Sequence, residues 1–273
     1  MWPRIVFAWL TALTLMGAAF AEELSIPGSG NPEYVLTQLA KAFNRQQSQH
    51  TVTIPSSIGT AGALRDIEAG TASLGRVGRP LKDDERGKGI VYVALGRDPV
   101  AFVAGAGVTV RGITSARAVD VFSGKLTDWS ELGGGPAPIR AVGRETTDAS
   151  RQAISRVIKP FETIVFGGNI KVVHLDPELV ALLDRFPTSL GFLNRSALGA
   201  CATQVIPLAL DGVEPTLENL EKGSYPLWLE PGLIHKPDAL TPAGKAFLAF
   251  VRSPAGARIL REHGILPHAA GSR

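Results

Sequence analysis

The alternation of β-rich runs with helix-periodic segments does most to narrow the folds open to this chain. Leu24-Ser25-Ile26 reads as a short strand entering the turn Pro27-Gly28-Ser29-Gly30. From Pro32 the apolar positions Tyr34, Val35, Leu39, Ala42 and Phe43 recur at helical spacing. Thr51-Val52-Thr53-Ile54 alternates as a second strand, and Gly59-Thr60-Ala61-Gly62 then opens a helix that Gly70 closes. Two β-rich runs over 89–95 and 99–104 follow, with a helix around Ala116 to Phe122. Thr241-Pro242 and Ser253-Pro254 each place a hydroxyl cap before a proline at the first helical position, ahead of apolar-faced helices. This order predicts an α/β architecture with mixed, mainly parallel sheets.

The chain has 273 residues, 45% of them hydrophobic, enough to bury one large or two modest cores, so wholesale disorder is excluded. Lys and Arg number 28 against 25 Asp and Glu, a formal charge of +3. So small an excess supplies no basic stripe for a nucleic-acid backbone, and no nucleic-acid partner is expected. The one cysteine, Cys201, allows neither an internal disulfide nor a thiolate metal cluster.

Residues 1–21 read as a cleavable signal peptide. Arg4 gives a sparse positive start, Ile5 to Phe20 is almost wholly apolar, and Ala19-Phe20-Ala21 is a small-x-small cleavage pattern. The apolar run is shorter than the roughly 20 residues of a spanning helix, which argues against an uncleaved anchor. Cleavage after Ala21 removes one charge, leaving 27 minus 25, or +2. The expected location is the periplasm, where a lone cysteine is consistent with an oxidising compartment.

Three loops join an expected strand to a helix N-terminus: Gly28-Ser29-Gly30-Asn31, Ser57 to Gly62, and Gly143-Arg144 through Asp148-Ala149-Ser150-Arg151. The first amides of a helix lack intrahelical partners, and the helix dipole adds positive potential there. Glycine permits close approach of a ligand to the backbone, and Ser and Thr hydroxyls add adjustable donors. Each loop alone is an ordinary cap. Converging, they make a nest for a small oxyanion, with Arg144 as a potentially bidentate donor. Arg79 and Arg151 read equally as solvated or ligand-contacting, and Arg76 rather as solvated. Trp129, Trp228, Tyr225 and Phe192 read as core or hinge packing. No nucleophile elbow, Walker-type loop, dinucleotide fingerprint or His/Cys metal spacing is present, so no catalytic residue, metal or cofactor is expected.

These landmarks resemble the phosphate-binding component of bacterial ABC phosphate transporters. The resemblance rests on Gly28-Ser29-Gly30, on Gly59-Thr60-Ala61-Gly62, and on the segment Gly75 to Leu81. Its most specific part is Phe122-Ser123-Gly124-Lys125-Leu126-Thr127-Asp128-Trp129; Phe186 to Phe192, Tyr225-Pro226-Leu227 and Phe250 to Gly256 extend it over the mature chain. It implies a two-lobe periplasmic-binding-protein-like fold (type II) with discontinuous domains: 22–98 plus 226–273 as one lobe, 99–225 as the other. It also implies a monomer that captures a small anionic solute between the lobes, hinging near Pro99 and Tyr225, and delivers it to an ABC permease. The protein is then not an enzyme. The implied ligand set is Ser29, Gly30, Asn31, Thr60, Ala61, Arg144, Asp148, Ala149 and Ser150.

The chain departs from that pattern at three places. Thr147-Asp148-Ala149-Ser150 stands where the family has Gly-Ser-Gly-Thr, so a serine donor has become an acid. Gly78 replaces Ser or Asp, and Pro32 replaces a hydroxyl residue. Asp148 reads either as an N-cap occupying the amides of Ser150 or Arg151, or as an acceptor for a protonated phosphate. As a bare charge about 4 Å from an anion at an effective dielectric near 20, it repels by roughly 4 kcal/mol. The alternative expectation is therefore a non-transporting periplasmic sensor or interaction protein with a degraded phosphate site.

Overall fold

Chain connectivity decides where the cores lie. The computed structural model describes residues 22–268, and the signal peptide expected over 1–21 lies outside them. Strand Glu22–Ser25 pairs in parallel with His50–Thr53. Its continuation reaches a bridge between Gly28 and Arg76, where the Ser29 amide donates to Arg76 O and the Arg76 amide to Pro27 O, both at 2.9 Å. Across this bridge lies an antiparallel sheet of Gly75–Val77, Gly232–His235 and Val91–Ala94, with Gly232–His235 in the middle. A strand from late in the chain thus sits between two made early.

Side chains alternate across this sheet as the two-residue strand period requires. Leu233 faces a core with Leu24, Val35, Leu39, Phe43 and Phe247, while Ile234 faces another with Ala63, Ile67, Val77 and Leu81. The second lobe repeats the plan. Its strands run in the order Ile206–Pro207, Asp98–Ala104, Ser189–Asn194, Arg140–Arg144, Lys171–Val173, with Trp228–Leu229 also paired to the start of Asp98–Ala104. Phe102 meets Phe122, Phe161 and Phe192 on one face; Ala101 and Val103 meet Leu179, Leu183 and Leu193 on the other. Each such fully buried aromatic contributes roughly 1.5–3 kcal/mol by area. Trp129, Tyr225 and Phe192 are core residues of this lobe.

The fold is the two-lobed α/β arrangement that the alternation and the resemblance imply. Its sheets are mixed, but parallel pairs do not predominate. Asp98–Ala104 and Gly232–His235 run antiparallel to every strand they pair with. Parallel pairing occurs where a helix returns the chain, as between Arg140–Arg144 and both Lys171–Val173 and Ser189–Asn194.

Local signals were accurate where caps are explicit. Thr241 Oγ accepts from the Gly244 amide and Ser253 Oγ from the Gly256 amide, each at 3.2 Å, starting helices Pro242–Val251 and Pro254–Glu262. Helix Gly59–Ala69 ends on Gly70 at φ 73°, a left-handed turn glycine adopts without strain.

Candidate ligand site between the lobes

Arg144 closes strand Arg140–Arg144, and Asp148 caps helix Ala149–Val157 one turn later by accepting from the Arg151 amide at 2.9 Å. The cap reading of Asp148 is what forms, and the same carboxylate does a second job. Its Oδ2 lies 2.9 Å from Arg144 Nη2. Arg144 Nη1 meets Asp176 Oδ1 at 2.9 Å, and Nη2 also donates to His174 O at 3.0 Å. Only 3% of Arg144 is exposed, and its Nε has no hydrogen-bond partner. An orphaned donor on a buried guanidinium is costly, and a ligand oxygen is one way to satisfy it.

The other lobe supplies Asn31, just before helix Glu33–Gln46. The Asn31 Nδ2 lies 3.3 Å from Ser150 Oγ, 3.3 Å from Asp176 Oδ1 and 3.1 Å from Asn194 Oδ1, two protons facing three acceptors. Ser29 Oγ donates to Asn31 Oδ1 at 3.1 Å. Gly30 and Gly78 owe their identity to this crowding. A Cβ on Gly30 would overlap the Asp176 carboxylate; one on Gly78 would overlap Asn31 Oδ1 and press on Ala149 Cβ. Thr60 reaches the same point through the Gly78 amide, which donates to its Oγ1 at 3.2 Å.

Ser29, Gly30, Asn31, Arg144, Asp148, Ala149 and Ser150 therefore meet at one junction, with Thr60 one bond away. Ala61 does not join them: it is exposed and lines an outer groove with Leu64, Arg65 and Glu68. What fills the junction is polar. Asp176, Asn194 and Gly78 belong to it as well, and sequence reasoning did not select the first two. Asp176 sits in the first turn of helix Asp176–Arg185, where an acidic residue is ordinary.

Burial raises the Asp148 carboxyl above its ordinary range, with the Arg144 cation pulling the other way and Asp176 adding to the rise. Burial pulls the Arg144 guanidinium down, yet Asp176 and Asp148 together hold it above its usual value. The guanidinium is the charged anchor of the junction.

Arg76 is not on the surface. It is fully buried, its Nε donating to Ser29 O at 2.8 Å and its Nη2 to Pro55 O at 2.7 Å and Glu33 Oε2 at 2.9 Å; Nη1 donates to Ile26 O. It ties the first loop to the segment leading into the second. Arg151 is also buried, donating to Arg144 O at 2.7 Å and stacking 4.1 Å over Phe166. Arg79 pairs with both oxygens of Glu85 at 2.7 Å.

Two α/β lobes meeting at a polar junction are the arrangement of a periplasmic-binding-protein-like fold. The chain belongs to the PBP superfamily, whose domain model matches residues 17–255. It is similar to a putative phosphate ABC transporter substrate-binding protein from Clostridium perfringens, solved with bound phosphate. That likeness has a TM-score of 0.79 at 26% identity and covers 90% of this chain and 100% of that one. The phosphate-binding protein PstS of Bacillus subtilis is 25% identical over 239 residues, 84% of this chain and 75% of that protein. With PstS 2 of Streptococcus pneumoniae the identity is 31% over 110 residues, 40% of this chain and only 37% of the relative.

Proposed function

We propose that this protein captures phosphate at the Arg144 junction and presents it to an ABC permease in the inner membrane, acting as an exported, periplasmic monomer without catalysis. The lobes of this reading comprise 22–98 with 226–273, and 99–225, except that Leu227 and Trp228–Leu229 pack on the second lobe, with a leader over 1–21 removed. One observation carries it: a buried guanidinium with an unpartnered Nε stands where the amide-rich loops of both lobes meet. The phosphate-bound relative supports the choice of anion. Function then follows from differential affinity, the closed form holding solute better than the open one.

A second reading, a sensor or interaction protein that does not deliver solute, is favoured by the two carboxylates already paired with Arg144. Calorimetric titration of the purified protein separates the two. Saturable one-site heat with phosphate, lost in Arg144→Ala, is expected for capture. No heat at millimolar phosphate overturns it.

A further inference from the structure

Asp148 and Asp176 both touch Arg144, but they are held differently. Asp148 is fixed twice over, Oδ1 by the Arg151 amide and Oδ2 by the guanidinium. Asp176 is held at Oδ1 alone, by Arg144 Nη1 at 2.9 Å and by Asn31 Nδ2 of the opposite lobe at 3.3 Å. Among the described residues no donor meets its Oδ2, which lies against Gly30 so closely that no side chain fits there. A carboxylate whose one oxygen meets a cation of its own lobe and an amide of the other, and whose second oxygen lies against a glycine of that other lobe, is placed as a bridging anion is placed.

We propose that Asp176 is an internal ligand of Arg144 that bridges the lobes, and that an arriving oxyanion must displace it, so that Asp176 sets the affinity of the site. This rests on the reading of the junction as an anion site. The displacement is chemically even: one carboxylate leaves the Nη1 edge and one oxyanion takes it, with no proton or bond exchanged. Its cost is the loss of one charge-assisted contact and of the cross-lobe contact to Asn31. The new anion also sits beside two acidic side chains in a poorly screened place. An ordinary high-affinity site pays neither cost, so the effect on affinity is large and readable.

Two variants test it: Asp176→Asn, which keeps the shape and removes the charge, and Asp176→Ser, which suits a helix start if the first fails to fold. Phosphate affinity is measured by calorimetry, and the radius of gyration by X-ray scattering in phosphate-free buffer and again with millimolar phosphate. The expected result is at least tenfold tighter phosphate binding in a variant than in the parent, about 1.4 kcal/mol. The variants should also be more expanded than the parent in phosphate-free buffer. Parent-like or weaker affinity in both folded variants overturns the displacement. Parent-like dimensions in both overturn the bridge. If neither parent nor variants bind phosphate while the variants still expand, the phosphate reading fails and the bridging role of Asp176 stands.

Discussion

Ser196 grips Asp98 with both its groups: its Oγ donates to Asp98 Oδ2 at 2.5 Å and its amide to Oδ1 at 3.1 Å, across 98 residues of chain. Asn194 adds a third donor to Asp98 at 2.8 Å and also holds Asn31 O at 2.9 Å. The start of strand Asp98–Ala104 is thus wired to the Arg144 junction through buried polar atoms.

Stability should depend on this carboxyl. Burial outweighs its donors and pushes Asp98 from 3.8 up to about 7. Between those values the folded chain holds a proton that the unfolded chain releases, so stability falls as pH rises from about 4 to about 7 and levels off above it. The full shift corresponds to on the order of 4 kcal/mol. Thermal unfolding at pH 8 should begin several degrees below that at pH 5.5, and Asp98→Asn should flatten the difference. An equally steep profile in the variant assigns the effect elsewhere.

Arg144→Ala should cost about 3–5 kcal/mol at pH 8, because it strands two buried carboxylates. Asp148, whose carboxyl burial already raises, can accept a proton in acid, so the penalty should shrink at pH 5. Urea midpoints at both values read this directly, and an equal penalty at both contradicts it.

Gly78→Ser restores a hydroxyl the family carries, yet here it should weaken the protein. Its Cβ collides with Asn31 Oδ1, forcing that amide to turn away from Ser150, Asp176 and Asn194. A loss of about 1–3 kcal/mol is expected, typical of overpacking. The double change Gly78→Ser with Asn31→Ala should recover part of it, since it removes the obstruction.

Arg76→Leu leaves the carbonyls of Ile26, Ser29 and Pro55 without this donor and Glu33 without its counter-charge. At about 1–3 kcal/mol per unsatisfied buried group, several kcal/mol should be lost. Arg76→Lys should rescue little, because one ammonium cannot reach four acceptors on separate segments.

The contrast between Arg76 and Thr241 shows what a sequence discloses. Thr241-Pro242 finds its partner three residues on, so the cap is legible locally. Arg76 owes its burial to acceptors 21 to 50 residues away, which no local pattern reveals. In sequence Gly78 reads as a lost donor, whereas the structure makes it room for Asn31. The loops that build the junction were readable from their glycines and hydroxyls, and the family resemblance supplied the two lobes. Asp176 was not readable, because an acid in a first helical turn has an ordinary explanation and its partner Arg144 lies 32 residues upstream.

The central position of Gly232–His235 imposes an order of assembly. Gly75–Val77 and Val91–Ala94 find their shared neighbour only once residues 232–235 have emerged, whereas Asp98–Ala104, Arg140–Arg144 and Ser189–Asn194 can pair before then. The lobe translated first is therefore completed last. A chain truncated short of residue 232 should emerge with a formed middle and a frayed beginning.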